Sequence, residues 1–214
     1  MRTDRQNIGA RARYAAMATL LACAPVFVLL GLWQLARADQ QEAMQAAAQA
    51  ARAAAPLDLQ RERIVPGHAY RRAIATGEFL PSQYFLQGRS EAGRPGYGMV
   101  AVMRAGGNHV LVDRGYTPRA EGLAPPGRRR VEGVLLPARL PPLQLGELRG
   151  AVRPFLDPRA IGDELGIELA PLVLHAKPPP LPPLKGVMHV GYAIQWFVFA
   201  AVALVALVAL MRNR

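Results

Sequence analysis

Residues 189–211 read HVGYAIQWFVFAAVALVALVALM, and this stretch decides the fold of the chain. After its first turns it is almost wholly apolar. At about 1.5 Å per helical residue it is long enough to cross a hydrocarbon core of roughly 30 Å. The sequence therefore predicts a transmembrane helix over 189–211, followed by a short tail over 212–214.

The polar side chains of this segment lie at its start. At about 100° per residue, one helix face carries both ring-bearing and small residues. The ring-bearing ones are His189, Tyr192 and Trp196, and the small ones are Ala193, Ala200 and Ala203. Trp and Tyr are ordinary anchors at a membrane interface, and a histidine is amphipathic enough to accompany them. An ionisable group at the mouth of a membrane helix also suggests a ligand. The spacing leaves both interpretations of His189 open.

A second apolar segment, residues 14–35, follows a basic tail over 1–13. Arginines lie between each span and the nearer chain terminus, namely Arg2, Arg5, Arg11, Arg13, Arg212 and Arg214. The positive-inside bias therefore places both termini in the cytoplasm and the intervening region in the periplasm. A cleaved signal peptide or an acylated Cys23 is the alternative. The apolar run APVFVLLGLWQL after Cys23 favours a retained span, with Trp33 as its outer aromatic anchor.

Residues 36–55 are rich in Ala and Gln and predict a helical stalk that ends before Pro56. The region 56–175 then alternates in polarity, which indicates short strands. The predicted strands are 70–79, 83–89, 99–103, 110–116, 129–136, 152–156 and 168–175. Turns are predicted at Pro81-Ser82 and at 106–108, and a short helix over 158–165 capped by Gly166. The Pro-rich segment 176–188 predicts an extended linker back to the second span.

Short strands without long crossover helices predict an antiparallel barrel or sandwich. The fold class expected is therefore an α+β membrane protein, in which two transmembrane helices flank one antiparallel, β-rich extracytoplasmic domain.

Composition excludes several functions. The net charge is +11, but Lys and Arg are spread along the whole chain, so anionic headgroups of a lipid bilayer explain the charge better than nucleic acid does. The single cysteine allows no intrachain disulfide and no cysteine metal site. His68, His109 and His175 are dispersed, and no nucleophile, zinc or phosphate-loop motif is present, so no enzyme is predicted. Asp113 beside Arg114 is predicted to be buried or to face a partner.

Four segments together resemble the SURF1/Shy1 family of cytochrome c oxidase assembly factors. They are GLWQLAR at 31–37, GRSEAGRPGYGMV at 88–100, HVLVDRGYTP at 109–118 and HVGYAIQWF at 189–197. Their order and the two-helix arrangement fit over nearly the whole chain. The family usually has Trp where this chain has Tyr116.

The resemblance implies a non-catalytic assembly factor of the bacterial inner membrane. It would help haem a reach the largest oxidase subunit, with His189 as axial ligand and with haem a synthesis and assembly proteins as partners. The alternative is a scaffold that stabilises an assembly intermediate without touching haem. The expected cofactor-binding residues besides His189 are Tyr192 and Trp196 on the macrocycle edge, Gln34 and Gln195 as hydrogen-bonding groups, Lys185 and Arg37 near the propionates, and Trp33. The alanine face of the second helix would supply an apolar gap.

Overall fold

The computed structural model describes residues 2–122, 125, 127–141, 150–181 and 186–212. The chain divides into two units, a helical unit of residues 1–46 with 182–214 and a strand unit of residues 47–181. Each unit is considered by itself.

The first helix, α1, spans Arg2–Ala53 and continues through Pro25. Its second half is rich in Ala and Gln, which lose little side-chain entropy in a helix. It ends just before Pro56, because the residue that precedes a proline disfavours helical geometry. The prediction that the first apolar segment continues as a helical stalk is therefore confirmed.

The last helix, α3, spans Gly186–Arg212, and so begins slightly earlier than predicted. The described chain has two stretches that are helical, long and apolar enough to cross a membrane, Arg11–Ala53 and Met188–Arg212. Length and composition establish no more than this, and the orientation of the spans stays a prediction.

The strand unit contains seven strands and one short helix among its described residues. The strands are β1 (Leu57–Asp58), β2 (Arg72–Glu91), β3 (Arg94–Ala105), β4 (Asn108–Thr117), β5 (Arg128–Pro137), β6 (Val152–Arg153) and β7 (Leu172–His175). The helix α2 spans Pro158–Leu165, and a single 3₁₀ turn covers Pro66–His68.

The sheet is mixed, which corrects the prediction of an antiparallel one. Strands β2, β3 and β4 pair antiparallel in series, whereas β1 and β6 pair parallel with β2, and β7 pairs parallel with β4. Strand β5 pairs antiparallel with both β7 and the first part of β2. The pairings therefore form a closed series, β2–β3–β4–β7–β5–β2.

Several predicted strand boundaries change. The two strands expected on either side of Pro81-Ser82 are one long strand, β2, which has a register shift between Phe79 and Gln83 instead of a turn. Strands β6 and β7 are shorter than predicted, and β1 was not predicted. The β3–β4 hairpin lies where expected, with its turn at Gly106-Gly107.

The predicted short helix is confirmed to the residue. The Asp157 carboxylate accepts hydrogen bonds from the Arg159 and Ala160 backbone N–H groups, at 2.9 and 3.4 Å. Gly166 closes the helix with a left-handed backbone, φ 67°. Because both end signals are local, the sequence alone places this helix.

Two apolar clusters stabilise the sheet, because successive side chains of a strand point to opposite faces. Met103 and Ala105 of β3 belong to one cluster, while Val100 and Val102 of the same strand belong to the other. Buried Asn108, at the start of β4, links the hairpin to the segment that follows β1. Its amide nitrogen donates to the Leu59 and Glu62 carbonyl oxygens, both at 2.8 Å. The predicted linker is irregular over 178–181, and its residues 182–185 lie outside the described part of the chain.

Candidate functional site

In the helical unit, α1 packs closely against α3. Ala193 is 1% exposed, and Ala24, Ala200 and Ala203 are also buried. A Cβ added at Gly31 would lie 2.6 Å from the Phe197 ring. The alanine face predicted from the sequence is therefore a helix–helix interface, and α1 fills the apolar gap that was expected there.

Aromatic rings close the same interface one turn further along α3. Phe27 stacks on Trp196 with ring centroids 5.8 Å apart, and Phe199 lies 5.9 Å from each of them. Contacts run from Phe27 with Trp196 to Gln34 with His189, so the two helices are antiparallel. Trp196 is thus held by α1.

His189 lies near the start of α3 in this interface, half-buried and with a partner at both ring nitrogens. Its Nδ1 lies 2.7 Å from the Gln34 amide oxygen, and its Nε2 lies 3.2 Å from the Gln41 amide nitrogen. An amide oxygen only accepts and an amide nitrogen only donates. Both contacts fit an imidazole with its proton on Nδ1 and a lone pair on Nε2.

Gln41 is the functional candidate that sequence reasoning missed. It was assigned to the solvated stalk, although it follows Gln34 by seven residues. Two helical turns bring such residues to the same face, so the repeat was a usable signal. What the sequence lacked was the register of α1 against α3, which places His189 between the two amides.

The other predicted site residues are less closely grouped. Tyr192 is 49% exposed and Trp33 59% exposed, and Gln195 is also exposed. Arg37 donates to the Gln40 amide oxygen at 2.7 Å. Lys185 lies outside the described residues. Of the predicted set, the structure brings together His189 and Gln34, and the haem-binding roles assigned to the whole set stay predictions.

A second polar cluster lies in the strand unit around Asp113, which is 2% exposed. Its Oδ2 forms an ion pair with Arg89 of β2 and lies 3.0 Å from the His175 Nδ1 of β7. Its Oδ1 accepts from the Gly115 backbone N–H at 3.0 Å. Burial by itself raises the pKa of the Asp113 carboxyl, but the hydrogen bond from His175, the charges of Arg89 and His175 and the Gly115 N–H together lower that pKa below its ordinary value. Asp113 is thus predicted correctly as buried, and it ties three strands together.

We expect Asp113→Asn to destabilise the strand unit by about 2 kcal/mol near neutral pH, because it leaves the guanidinium of Arg89 unpaired and Arg89 itself is partly exposed. A carboxyl whose folded-state pKa is lowered contributes stability above its unfolded pKa of about 3.9, and that contribution is lost as pH falls through the folded pKa. The difference between the variant and the wild type should therefore shrink below about pH 4. Hydrogen exchange of the β4 amides measures this difference in stability. Tryptophan fluorescence would not report on the strand unit, because both tryptophans lie in the helices.

Glu78→Gln is the matched control for Asp113→Asn. The Glu78 carboxylate lies 3.6 Å from Arg104, but both side chains are more than half exposed. An exposed pair of this kind contributes at most about 1 kcal/mol. An equal and pH-independent effect of the two substitutions would contradict the role assigned to Asp113.

Taken together, the fold and the site define a small protein in which a mixed-sheet unit is joined to a pair of apolar helices with a half-buried histidine at their interface. The model of the SURF1 family matches residues 21–201, and the chain belongs to this family. The family is linked to the assembly of cytochrome c oxidase and consists of assembly factors. No curated protein matches the chain.

Proposed function

We propose that this protein assists the assembly of cytochrome c oxidase by holding haem a transiently through His189 before the haem enters the largest oxidase subunit. The observation that carries the proposal is the half-buried imidazole in the α1–α3 interface, whose contacts with Gln34 and Gln41 fit a lone pair on Nε2. A neutral imidazole is the form that ligates haem iron.

The second ring nitrogen supports this role. Histidines that ligate metals usually donate their other N–H to a carboxylate or carbonyl oxygen, which fixes the ring and raises its basicity. Gln34 supplies such an oxygen at 2.7 Å from Nδ1. In this proposal the iron takes one protein ligand, His189. A single axial ligand suits a carrier that must release its cargo.

The packing of the helices limits where the macrocycle can lie. Ala193 is 1% exposed, and a Cβ at Gly31 would lie 2.6 Å from the Phe197 ring, so α1 and α3 leave no porphyrin-sized gap between these described residues. The haem would contact the outer side of the helix pair beside His189, where Tyr192 and Trp33 present exposed rings.

The proposed location is the bacterial inner membrane, with both helices spanning the bilayer, both termini in the cytoplasm and the strand unit in the periplasm. The flanking arginines and the two apolar helices support this arrangement. The proposed partners are the largest oxidase subunit and the proteins that make haem a and deliver it.

The filled interface favours a second candidate function. A scaffold that stabilises an oxidase subunit through its helices and sheet needs no gap for a porphyrin, and the Phe27–Trp196–Phe199 cluster would serve it as a rigid element. The two candidates differ in whether the purified protein carries pigment.

The test is an absorption spectrum of the full chain, purified in detergent from cells that make haem a and from cells that do not. We expect a Soret band that elutes with the protein only in the first preparation. A colourless protein that still retains an oxidase subunit would refute haem binding and support the scaffold.

A further inference from the structure

The two hydrogen bonds to His189 are unequal. The Nδ1 atom lies 2.7 Å from the Gln34 oxygen, whereas the Gln41 nitrogen lies 3.2 Å from Nε2. The ring is therefore held more closely at Nδ1 than at Nε2.

The two glutamines are both half-buried, but they lie at different heights along α1. Gln34 lies at the end of the predicted span 14–35, where an amide released from its partner finds few replacements. Gln41 lies two turns further, within the polar stalk, where water can satisfy an amide that leaves the imidazole. Breaking the Gln41 contact is thus the less costly of the two changes.

We infer that Gln41 is a built-in competitor for the iron-binding nitrogen and that Gln34 is the positioning residue for the ring, an inference that rests on the proposed function. In the empty protein the Gln41 N–H occupies the Nε2 lone pair. The Gln41 amide would have to leave Nε2 before that nitrogen could hold haem iron, and the amide would return to Nε2 once the cargo has left. The chain itself thereby weakens retention of the haem, which favours handover.

The first test is a titration of the full-length protein in detergent with hemin, followed by its Soret band. Gln41→Leu removes the competing donor at nearly constant volume and should tighten binding about two- to tenfold, the equivalent of one hydrogen bond. Gln34→Leu removes the partner that orients the ring and should weaken binding about tenfold. Gln45→Leu is the matched control, since Gln45 lies one turn beyond Gln41 on the same half-buried face, and it should leave affinity unchanged.

The second test reads the ring without haem. In protein labelled with ¹⁵N-histidine, the His189 signal, identified by its loss in His189→Ala, should report a proton on Nδ1 in the wild type and in Gln41→Leu. In Gln34→Leu the proton should move partly to Nε2. These shifts separate a change in ring position from a general loss of structure.

The outcomes distinguish a failure of the proposed function from a failure of the roles assigned to Gln41 and Gln34. A wild type that binds no hemin would overturn the proposed function, and the competitor role with it. A wild type that binds hemin, with Gln41→Leu binding no tighter, would overturn the role of Gln41 alone. An unchanged tautomer in Gln34→Leu would overturn the positioning role of Gln34.

Discussion

The variant His189→Ala is expected to purify without haem a, from cells in which the wild type carries it. The substitution removes the proposed ligand, which is the only histidine among the described residues of α1 and α3. Loss of an outer hydrogen-bond partner costs about 10- to 100-fold in metal affinity, and loss of the ligand itself should cost more than about 100-fold. The Soret absorbance per protein in parallel preparations measures the effect.

Two controls show whether the loss reflects ligation. His109→Ala changes another half-buried histidine, in the strand unit, and should leave the pigment unchanged. Adding free imidazole to His189→Ala should restore part of the pigment, because a small ligand can replace the missing ring only where the remaining site is intact. Equal pigment in His189→Ala and the wild type would exclude His189 as the ligand.

The sequence predicts those parts of the fold that depend on local signals. Helix α2 and the β3–β4 hairpin are placed correctly because Asp157, Gly166 and the Gly106-Gly107 pair act on their immediate neighbours. The stalk is placed correctly because its composition favours helix up to Pro56.

The parts that depend on distant pairing could not be predicted. Pro81-Ser82 has the composition of a turn, yet in β2 it lies at a register shift, where a proline breaks no required ladder bond. The short strands β1 and β6 depend on pairing with β2: β1 has no strand signal of its own, and β6 keeps only two residues of the predicted strand 152–156. The parallel pairings of β1, β6 and β7 likewise join strands that are far apart in sequence.

The candidate site shows the same division. Helical spacing correctly places Ala193, Ala200 and Ala203 on one buried face. It could not show that α1 fills the space beside them, nor that Gln41 reaches His189, because both depend on the register between helices far apart in sequence.

Replacing Gly77 with alanine is expected to destabilise the strand unit by about 3 kcal/mol or more, which would lower its melting temperature by roughly 10 °C. Gly77 lies where β2 changes partners, since it pairs with Arg129 of β5 while the next residue, Glu78, also pairs with Arg104 of β3. A Cβ at this position would overlap the Arg104 carbonyl oxygen and lie 3.0 Å from the Ala105 Cα. These are backbone atoms of a paired strand, so they cannot rotate away as a side chain would.

Gly107→Ala is the matched control, because a Cβ there meets no atom within 4 Å and the backbone is not left-handed. It should change stability by no more than about 0.5 kcal/mol. The two variants are compared by following the β-strand signal in circular dichroism on heating. Equal melting temperatures would show that the closed series of strands does not depend on the close approach of Gly77 to the Arg104 backbone. The comparison also bears on function: haem retention assigned to the helix pair should survive Gly77→Ala in the purified protein, whereas a scaffold acting through the sheet should fail with it.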